Sequence, residues 1–136
     1  MVTAHPWLRS AVGVLPVPGH DPKFAPPSAG VRIGETLNRL LGLSLVTVDS
    51  RTEFRRSAKN MTSAERAALL DEFIVVDDLR GCTVLVVDDA YHTGYTMAGV
   101  VKAARAAGAV TVLGIVPVRV MRLDVEPSKA RVLDVE

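Results

Sequence analysis

Cysteine, aromatic residues and net charge are all scarce in this sequence of 136 residues. The single cysteine, Cys82, excludes an internal disulfide and a zinc site built from cysteines, and it is typical of a reducing compartment. Aromatic residues make up 4% of the chain, so valine, leucine and alanine must supply most of the core. The 16 basic and 15 acidic residues leave a net charge of +1, which argues against a protein built mainly to neutralise nucleic-acid phosphates.

Long hydrophobic runs are absent as well. The longest apolar stretches, such as residues 110–118, are far shorter than a bilayer span, and residues 1–18 lack the sustained apolar core of a secretory signal. We therefore expect a cytoplasmic protein with no membrane partner. The composition, 49% hydrophobic and 23% charged, is typical of a globular chain, and the length predicts a single domain over residues 1–136.

Short β-type runs alternate with helical segments along the chain. Strands are expected at residues 11–17, 43–48, 73–76, 83–87 and 110–120, and helices at about 31–41, 62–72 and 96–107. This order predicts an α/β fold with a central, mainly parallel β-sheet flanked by helices. The tail, residues 121–136, is mixed and fits a strand, a sheet edge or an arm.

Local signals define the ends of these helices. Thr62 and Glu65 have the spacing of a capping box, which starts the second helix, and Gly108 ends the third. The first helix is expected to carry four apolar side chains on one face and to stop at a glycine: Ile33, Leu37, Leu40, Leu41 and then Gly42.

The most informative segment is VLVVDDAYHTGYT, residues 84–96. The run Thr83–Val87 suits a strand buried on both faces of a parallel sheet, and it ends in Asp88 and Asp89. Ligands bind at this end of the strands in open α/β sheets. The next residues, 92–96, form a tight turn into a helix, whose free backbone N–H groups favour an anion. A ligand with a phosphate at one end and hydroxyl groups or a metal at the other fits both features.

This segment resembles the phosphoribosyl pyrophosphate (PRPP) binding motif of type I phosphoribosyltransferases. The resemblance implies the phosphoribosyltransferase fold and a catalytic role for Asp88 and Asp89, which would orient the ribose and hold Mg²⁺ through water. It also implies that the 5′-phosphate is bound by the loop that matches the motif: Thr93, Gly94, Tyr95 and Thr96.

A wider likeness, over about residues 12–118, is to the ComF-like branch of that family. It is carried by LPVP at residues 15–18, the following helix and the basic segment, by which we mean residues 51–66. It implies a mobile lid formed by the basic segment and a pyrophosphate loop at residues 19–23. The residues expected to meet pyrophosphate are Gly19, His20, Lys23, Arg55, Arg56 and Lys59. ComF-like proteins often carry an N-terminal cysteine-rich zinc module, which this sequence lacks.

Several alternatives stay open at this stage. His92, where threonine is common in the family, suits a general acid or base, or a hydrogen bond within the loop. The acid pair is also compatible with a strand end that has no binding role. The basic segment is also compatible with an ordinary solvated loop. A receiver domain is disfavoured because only 136 − 89 = 47 residues follow Asp89.

The expected reaction is transfer of a phosphoribosyl group from PRPP, with Mg²⁺ as cofactor, to an unidentified nitrogenous base with release of pyrophosphate. The resemblance also implies a homodimer. The alternative is a non-catalytic module with the same fold that senses PRPP or nucleotides in regulation or DNA uptake. Direct binding of nucleic acid through the basic segment is disfavoured by the near-zero net charge.

Overall fold

The computed structural model describes residues 9–19, 27–52, 60–91 and 94–119. Its strands are β1 (Gly13–Pro16), β2 (Ser44–Leu45), β3 (Asp49–Ser50), β4 (Phe73–Ile74), β5 (Thr83–Val87), β6 (Ala90–Tyr91), β7 (Thr111–Ile115) and β8 (Val118–Arg119). Its helices are α1 (Ala29–Leu41), α2 (Ser63–Ala68), which runs into a 3-10 turn at Leu69–Asp71, and α3 (Tyr95–Ala106). Within these ranges no helix is long and apolar enough to cross a bilayer.

Four strands form the central sheet in the order β2-β1-β5-β7, and every neighbouring pair is parallel. Two β-α-β units build it, because α1 connects β1 to β2 and α3 connects β5 to β7. The strands β3 and β4 form a separate antiparallel pair, and β6 and β8 a separate parallel pair. The expected α/β fold with a central parallel sheet is therefore confirmed.

The helices α1 and α3 cover opposite faces of this sheet. Successive strand side chains point to opposite faces, so each strand contributes to two apolar clusters. On one face, Leu15 and Val86 pack with Val100 of α3. On the other face, Val14 and Leu85 form a cluster against which α1 packs. Both β1 and β5 are fully buried or nearly so, apart from Thr83, as the apolar run at β5 predicts.

The first helix starts earlier than expected because Ser28 caps it. Ser28 Oγ accepts a hydrogen bond from the Val31 N–H, at 3.3 Å, so the helix begins at Ala29. It ends as predicted at Gly42, which has a left-handed φ of 67°. Leu40 is 74% exposed and Leu41 is 42% exposed, so the apolar face predicted for this helix is wrong at its last two positions. The sheet beside this last turn is only the two-residue strand β2, which covers little of it.

The predicted strands other than Thr83–Val87 are shorter than their apolar runs. Of residues 43–48, Ser44–Leu45 pairs with β1, and one further hydrogen bond joins Val46 N to Val14 O at 2.9 Å. The run at residues 110–120 is divided at Pro117 into β7 and β8, because proline has no N–H to donate to a ladder.

The capping box at the start of α2 is confirmed. Glu65 N donates to Thr62 Oγ1 at 3.2 Å, and Thr62 N donates to Glu65 Oε2 at 2.6 Å. The 3-10 turn that follows packs closely on α3, because Gly99 of α3 lies against the carbonyl group of Leu69. An ion pair between Lys102 and Asp71, at 2.5 Å, adds a second connection between these elements.

Candidate functional site at the sheet switch point

The strand order reverses between β1 and β5. The chain leaves β1 for α1 on one face and leaves β5 for α3 on the other, so the two connections diverge from adjacent strands. The two strand ends are in register, with Pro16 opposite Val87, and Val17 N donates to Val87 O at 2.8 Å. A crevice at the carboxyl ends of diverging strands is the usual ligand site of open α/β sheets. The topology therefore selects this end of β1 and β5.

The acid pair, Asp88 and Asp89, follows β5 at that point. Asp88 N donates to Ile115 O of the neighbouring strand at 3.2 Å, which fixes its backbone to the sheet. Asp88 Oδ1 accepts a hydrogen bond from Asp89 N at 2.8 Å, and this bond orients its carboxylate. Asp88 is half-buried and Asp89 is exposed, so a ligand can reach the pair from solvent at the end of β5.

The start of α1 borders the same carboxylate. A Cβ atom built on Gly30 would lie 3.4 Å from Asp88 Cα and 3.5 Å from Asp88 Oδ1, so the helix backbone approaches the acid closely. Ser28 Oγ also donates to Val17 O at 3.4 Å, and a Cβ on Gly19 would lie 3.6 Å from Ser28 Cβ. The structure thus brings together Gly19 of the predicted pyrophosphate loop, the α1 N-terminus and Asp88.

The start of α3 lies on the chain a few residues beyond the acid pair. Gly94 is the N-cap, with a left-handed φ of 82° that suits glycine, and it supplies no side-chain hydrogen bond to the helix. Tyr95 and Thr96 form the first turn of α3, and Tyr95 is 37% exposed. No N-cap side chain therefore occupies the first amides of α3. Free amides of this kind are what a helix start needs in order to bind an anion.

The remaining predicted site residues lie outside the described ranges. These are His20, Lys23, Arg55, Arg56, Lys59, His92 and Thr93. Their assignments stay predictions. The two ends of the basic segment do lie in the described ranges: Arg51 N donates to Glu72 O at 2.7 Å beside the β3–β4 pair, and α2 begins just beyond Thr62. Both ends of the segment are thus part of, or directly beside, defined elements.

Among the described residues, the acid pair offers a metal ion two adjacent carboxylates. No cluster of three or more His, Cys, Asp or Glu side chains occurs among the residues that the structure describes. Mg²⁺ is usually held by one or two carboxylates, with water and substrate phosphates supplying the other oxygens. Asp88 and Asp89 fit that kind of site.

The resolved pKa changes lie elsewhere on the surface. The hydrogen bond from Lys102 holds the pKa of Asp71 below its ordinary value. The side-chain hydrogen bond from Arg80 likewise lowers the pKa of Asp78 and raises the pKa of Arg80 itself. Asp78 precedes β5, so this pair lies at the end of the strand opposite the acid pair.

Sequence reasoning missed three residues that shape the site. Ser28 is a capping residue type just ahead of a helical pattern, which is a recognisable signal. Gly30 follows two positions later, and its closeness to Asp88 depends on how α1 packs. Tyr91, whose ring lies against Gly94, gave no sequence signal, because the contact depends on how β6 and the start of α3 are placed in the fold.

Comparison with solved structures identifies the architecture. The chain is similar to a purine phosphoribosyltransferase from Pyrococcus horikoshii Ot3, with a TM-score of 0.57 and 17% identity, over 99% of this chain and 90% of that one. This chain has a phosphoribosyltransferase-type fold. It is also similar to a phosphoribosylpyrophosphate synthetase from Mycobacterium smegmatis, with a TM-score of 0.53 and 23% identity, over 87% of this chain and 30% of that one. No family model and no curated protein sequence matches the chain.

With the phosphoribosyltransferase-type fold shown, the sequence prediction of that fold is confirmed. At these identities the similarity concerns the fold alone. Membership of the ComF-like branch stays a prediction.

Proposed function

We propose that this protein binds PRPP with Mg²⁺ and transfers the phosphoribosyl group to a nitrogenous base, with release of pyrophosphate. The observation that carries the proposal is the position of the acid pair, Asp88 and Asp89, at the carboxyl end of β5. There the strand order reverses, and the first turn of α1 packs against Asp88. The phosphoribosyltransferase-type fold supports the same conclusion.

The acid pair would bind the ribose. Asp88 already uses Oδ1 to accept the Asp89 amide, which holds the carboxylate in one orientation. Asp89 is exposed, and its carboxylate would accept hydrogen bonds from the ribose hydroxyls or from metal-bound water. When bound, Mg²⁺ would supply positive charge that offsets the developing charge of the leaving pyrophosphate. A rigid strand end under the ribose would lower the entropy cost of alignment.

The two phosphate-bearing ends of PRPP would lie on opposite sides of the acid pair. The amides of Gly94, Tyr95 and Thr96 at the α3 start suit the 5′-phosphate, because a helix N-terminus favours an anion. The loop that begins at Gly19, beside the start of α1, suits the pyrophosphate. The cations of the basic segment would close over this second group and offset its charge.

The reaction requires a nitrogen lone pair of the acceptor to form a bond to C1 of the ribose. The C1–O bond to pyrophosphate breaks, and the bonding electrons leave with that oxygen. Positive charge then spreads over C1 and the ring oxygen, so carboxylates beneath the ribose stabilise the transition state. A proton leaves the acceptor nitrogen, and His92 is the candidate to accept it.

Production of pyrophosphate tests this proposal. We would incubate the protein with PRPP and Mg²⁺ and supply purine and pyrimidine bases in turn, and then measure release of pyrophosphate. The Asp88→Asn/Asp89→Asn variant should lose the activity. Asp77→Asn/Asp78→Asn is the matched control, since it removes the same charge from an adjacent acid pair in the exposed turn before β5. Binding of PRPP without turnover of any base would instead favour the sensing module.

The proposal also covers the oligomeric state of the protein and its cellular compartment. We expect a homodimer in the cytoplasm, from the resemblance to type I phosphoribosyltransferases and from the single cysteine. Sedimentation or light scattering of the purified protein would test the dimer, and a monomer at all concentrations would contradict it.

A further inference from the structure

The ring of Tyr91 lies against the glycine that starts α3. A Cβ atom built on Gly94 would be 2.8 Å from Tyr91 Cζ and 3.0 Å from Tyr91 Cε2, and it would also overlap the Tyr91 hydroxyl oxygen. Cβ atoms in proteins essentially never approach other atoms this closely. The tyrosine ring therefore fills the space that a side chain at position 94 would need.

This contact restricts the residue that starts α3. Gly94 has a left-handed φ of 82° and, as a glycine, has no side chain with which to cap α3, so the contact with Tyr91 is what limits its position. Tyr91 is itself held on the fold, because β6 pairs with β8 and places Tyr91 opposite Arg119. Tyr91 as a whole residue is 36% exposed, so its contact with Gly94 lies at the protein surface.

We infer that Tyr91 is a positioning residue for phosphate binding. It acts through Gly94: the ring packs on Gly94 and holds the first amides of α3 in the orientation that binds the 5′-phosphate. A prearranged helix start loses less conformational entropy when the anion binds, so the contact raises affinity without touching the substrate. The inference rests on the proposed PRPP function and deepens it, because the phosphate-binding turn belongs to that same site.

Affinity for ribose 5-phosphate tests the inference, since this probe carries the phosphate without the pyrophosphate. We would titrate it calorimetrically into the wild-type protein and the Tyr91→Ala and Tyr91→Phe variants, each confirmed as folded by circular dichroism. Tyr91→Ala should bind about tenfold more weakly, because the start of α3 must then lose conformational entropy when the phosphate binds. Tyr91→Phe keeps the ring and should bind within about twofold of wild type. Val110→Ala, an exposed apolar residue at the other end of the sheet, is the control.

Two results would overturn the positioning role. The first is equal affinity in wild type and Tyr91→Ala. The second is a Tyr91→Phe variant as weak as Tyr91→Ala, which would make the hydroxyl group a direct ligand. If wild type binds PRPP while the Tyr91 variants bind equally well, this inference alone fails. If wild type binds neither PRPP nor ribose 5-phosphate, the proposed function fails, and this inference fails with it.

A double-mutant cycle measures the contact itself. In the wild-type background, Gly94→Ala should be costly, both for its left-handed backbone and for the overlap with Tyr91. In the Tyr91→Ala background the overlap is gone, so the same substitution should lower the melting temperature by less. Strictly additive losses would show that the two residues do not interact and would contradict the inference.

Discussion

Gly30, in the first turn of α1, lies directly against Asp88, the residue that follows the central strand β5. A Cβ atom at position 30 would be 3.4 Å from Asp88 Cα and equally far from Val87 O. The helix backbone therefore comes close to the carboxylate that we propose for ribose binding. The size of residue 30 should consequently control the position of Asp88.

Replacement of Gly30 by alanine should be tolerated, whereas replacement by leucine should destabilise the fold. The alanine Cβ would make ordinary van der Waals contacts, and alanine is the better helix former, so Gly30→Ala should fold with stability at or above wild type. The longer side chain of Gly30→Leu would displace Asp88, cost about 1–3 kcal/mol of folding free energy and weaken PRPP binding. Chemical denaturation and calorimetry would measure both quantities. Wild-type PRPP affinity in a folded Gly30→Leu would contradict the prediction.

The contact between Gly99 and the 3-10 turn predicts a destabilising glycine-to-alanine change. Within a helix this change normally stabilises by up to about 1 kcal/mol. At Gly99 the new methyl group would overlap the Leu69 carbonyl oxygen and lie 2.8 Å from Phe73 Cδ2, so we expect a net loss of about 1–3 kcal/mol.

The control is Gly114→Ala, which also adds a methyl group near α3. There the near atom is Met97 Sδ, at 3.0 Å, which belongs to a flexible side chain that can move. Thermal unfolding of both variants should show the larger loss for Gly99→Ala. A Gly99→Ala variant that melts above wild type would contradict the packing described.

The ion pair between Asp71 and Lys102 predicts a pH-dependent contribution to stability. Its hydrogen bond lowers the pKa of Asp71 in the folded state, so folding is favoured above the unfolded pKa of this carboxyl. That contribution is lost as the pH falls through the folded pKa. Both groups are exposed, so the effect should be small.

Lys102→Met, which keeps most of the side-chain length, should return the pKa of Asp71 toward its ordinary value. A carboxyl NMR titration would measure this change, with the pKa of Asp78 as an internal control, because its partner Arg80 is retained. The stability difference between variant and wild type should disappear at low pH. A difference that stays constant across the acid range would contradict the assignment.

The sequence predicted the fold where local patterns and tertiary packing agree. The apolar run Thr83–Val87 specified a buried parallel strand, and the capping residues Thr62 and Glu65 specified the start of α2. The sequence prediction differed from the structure where tertiary packing, and not the local pattern, determined burial. Leu40 fits the apolar face of α1 by periodicity, yet it is exposed beside a sheet edge of two residues.

The candidate site was predictable as a motif and not as a geometry. Adjacent acids after a buried strand, followed by a glycine turn into a helix, identify the two ends of the site in sequence. The contacts of Gly30 with Asp88 and of Tyr91 with Gly94 could not be predicted from the sequence. They depend on how α1 packs on the sheet and on where the start of α3 lies relative to β6, and no local pattern encodes either.

The central claim is that Asp88 and Asp89 form a PRPP site, and calorimetric titration of PRPP with Mg²⁺ tests it most directly. The informative comparison is wild type against Asp88→Asn/Asp89→Asn, because asparagine keeps an Oδ1 to accept the Asp89 amide and removes only the charge. Asp77→Asn/Asp78→Asn controls for the loss of two charges. We predict binding by wild type and by the control, and loss of binding in the Asp88/Asp89 variant. Absence of binding by folded wild type, or equal binding by all three proteins, would contradict the account.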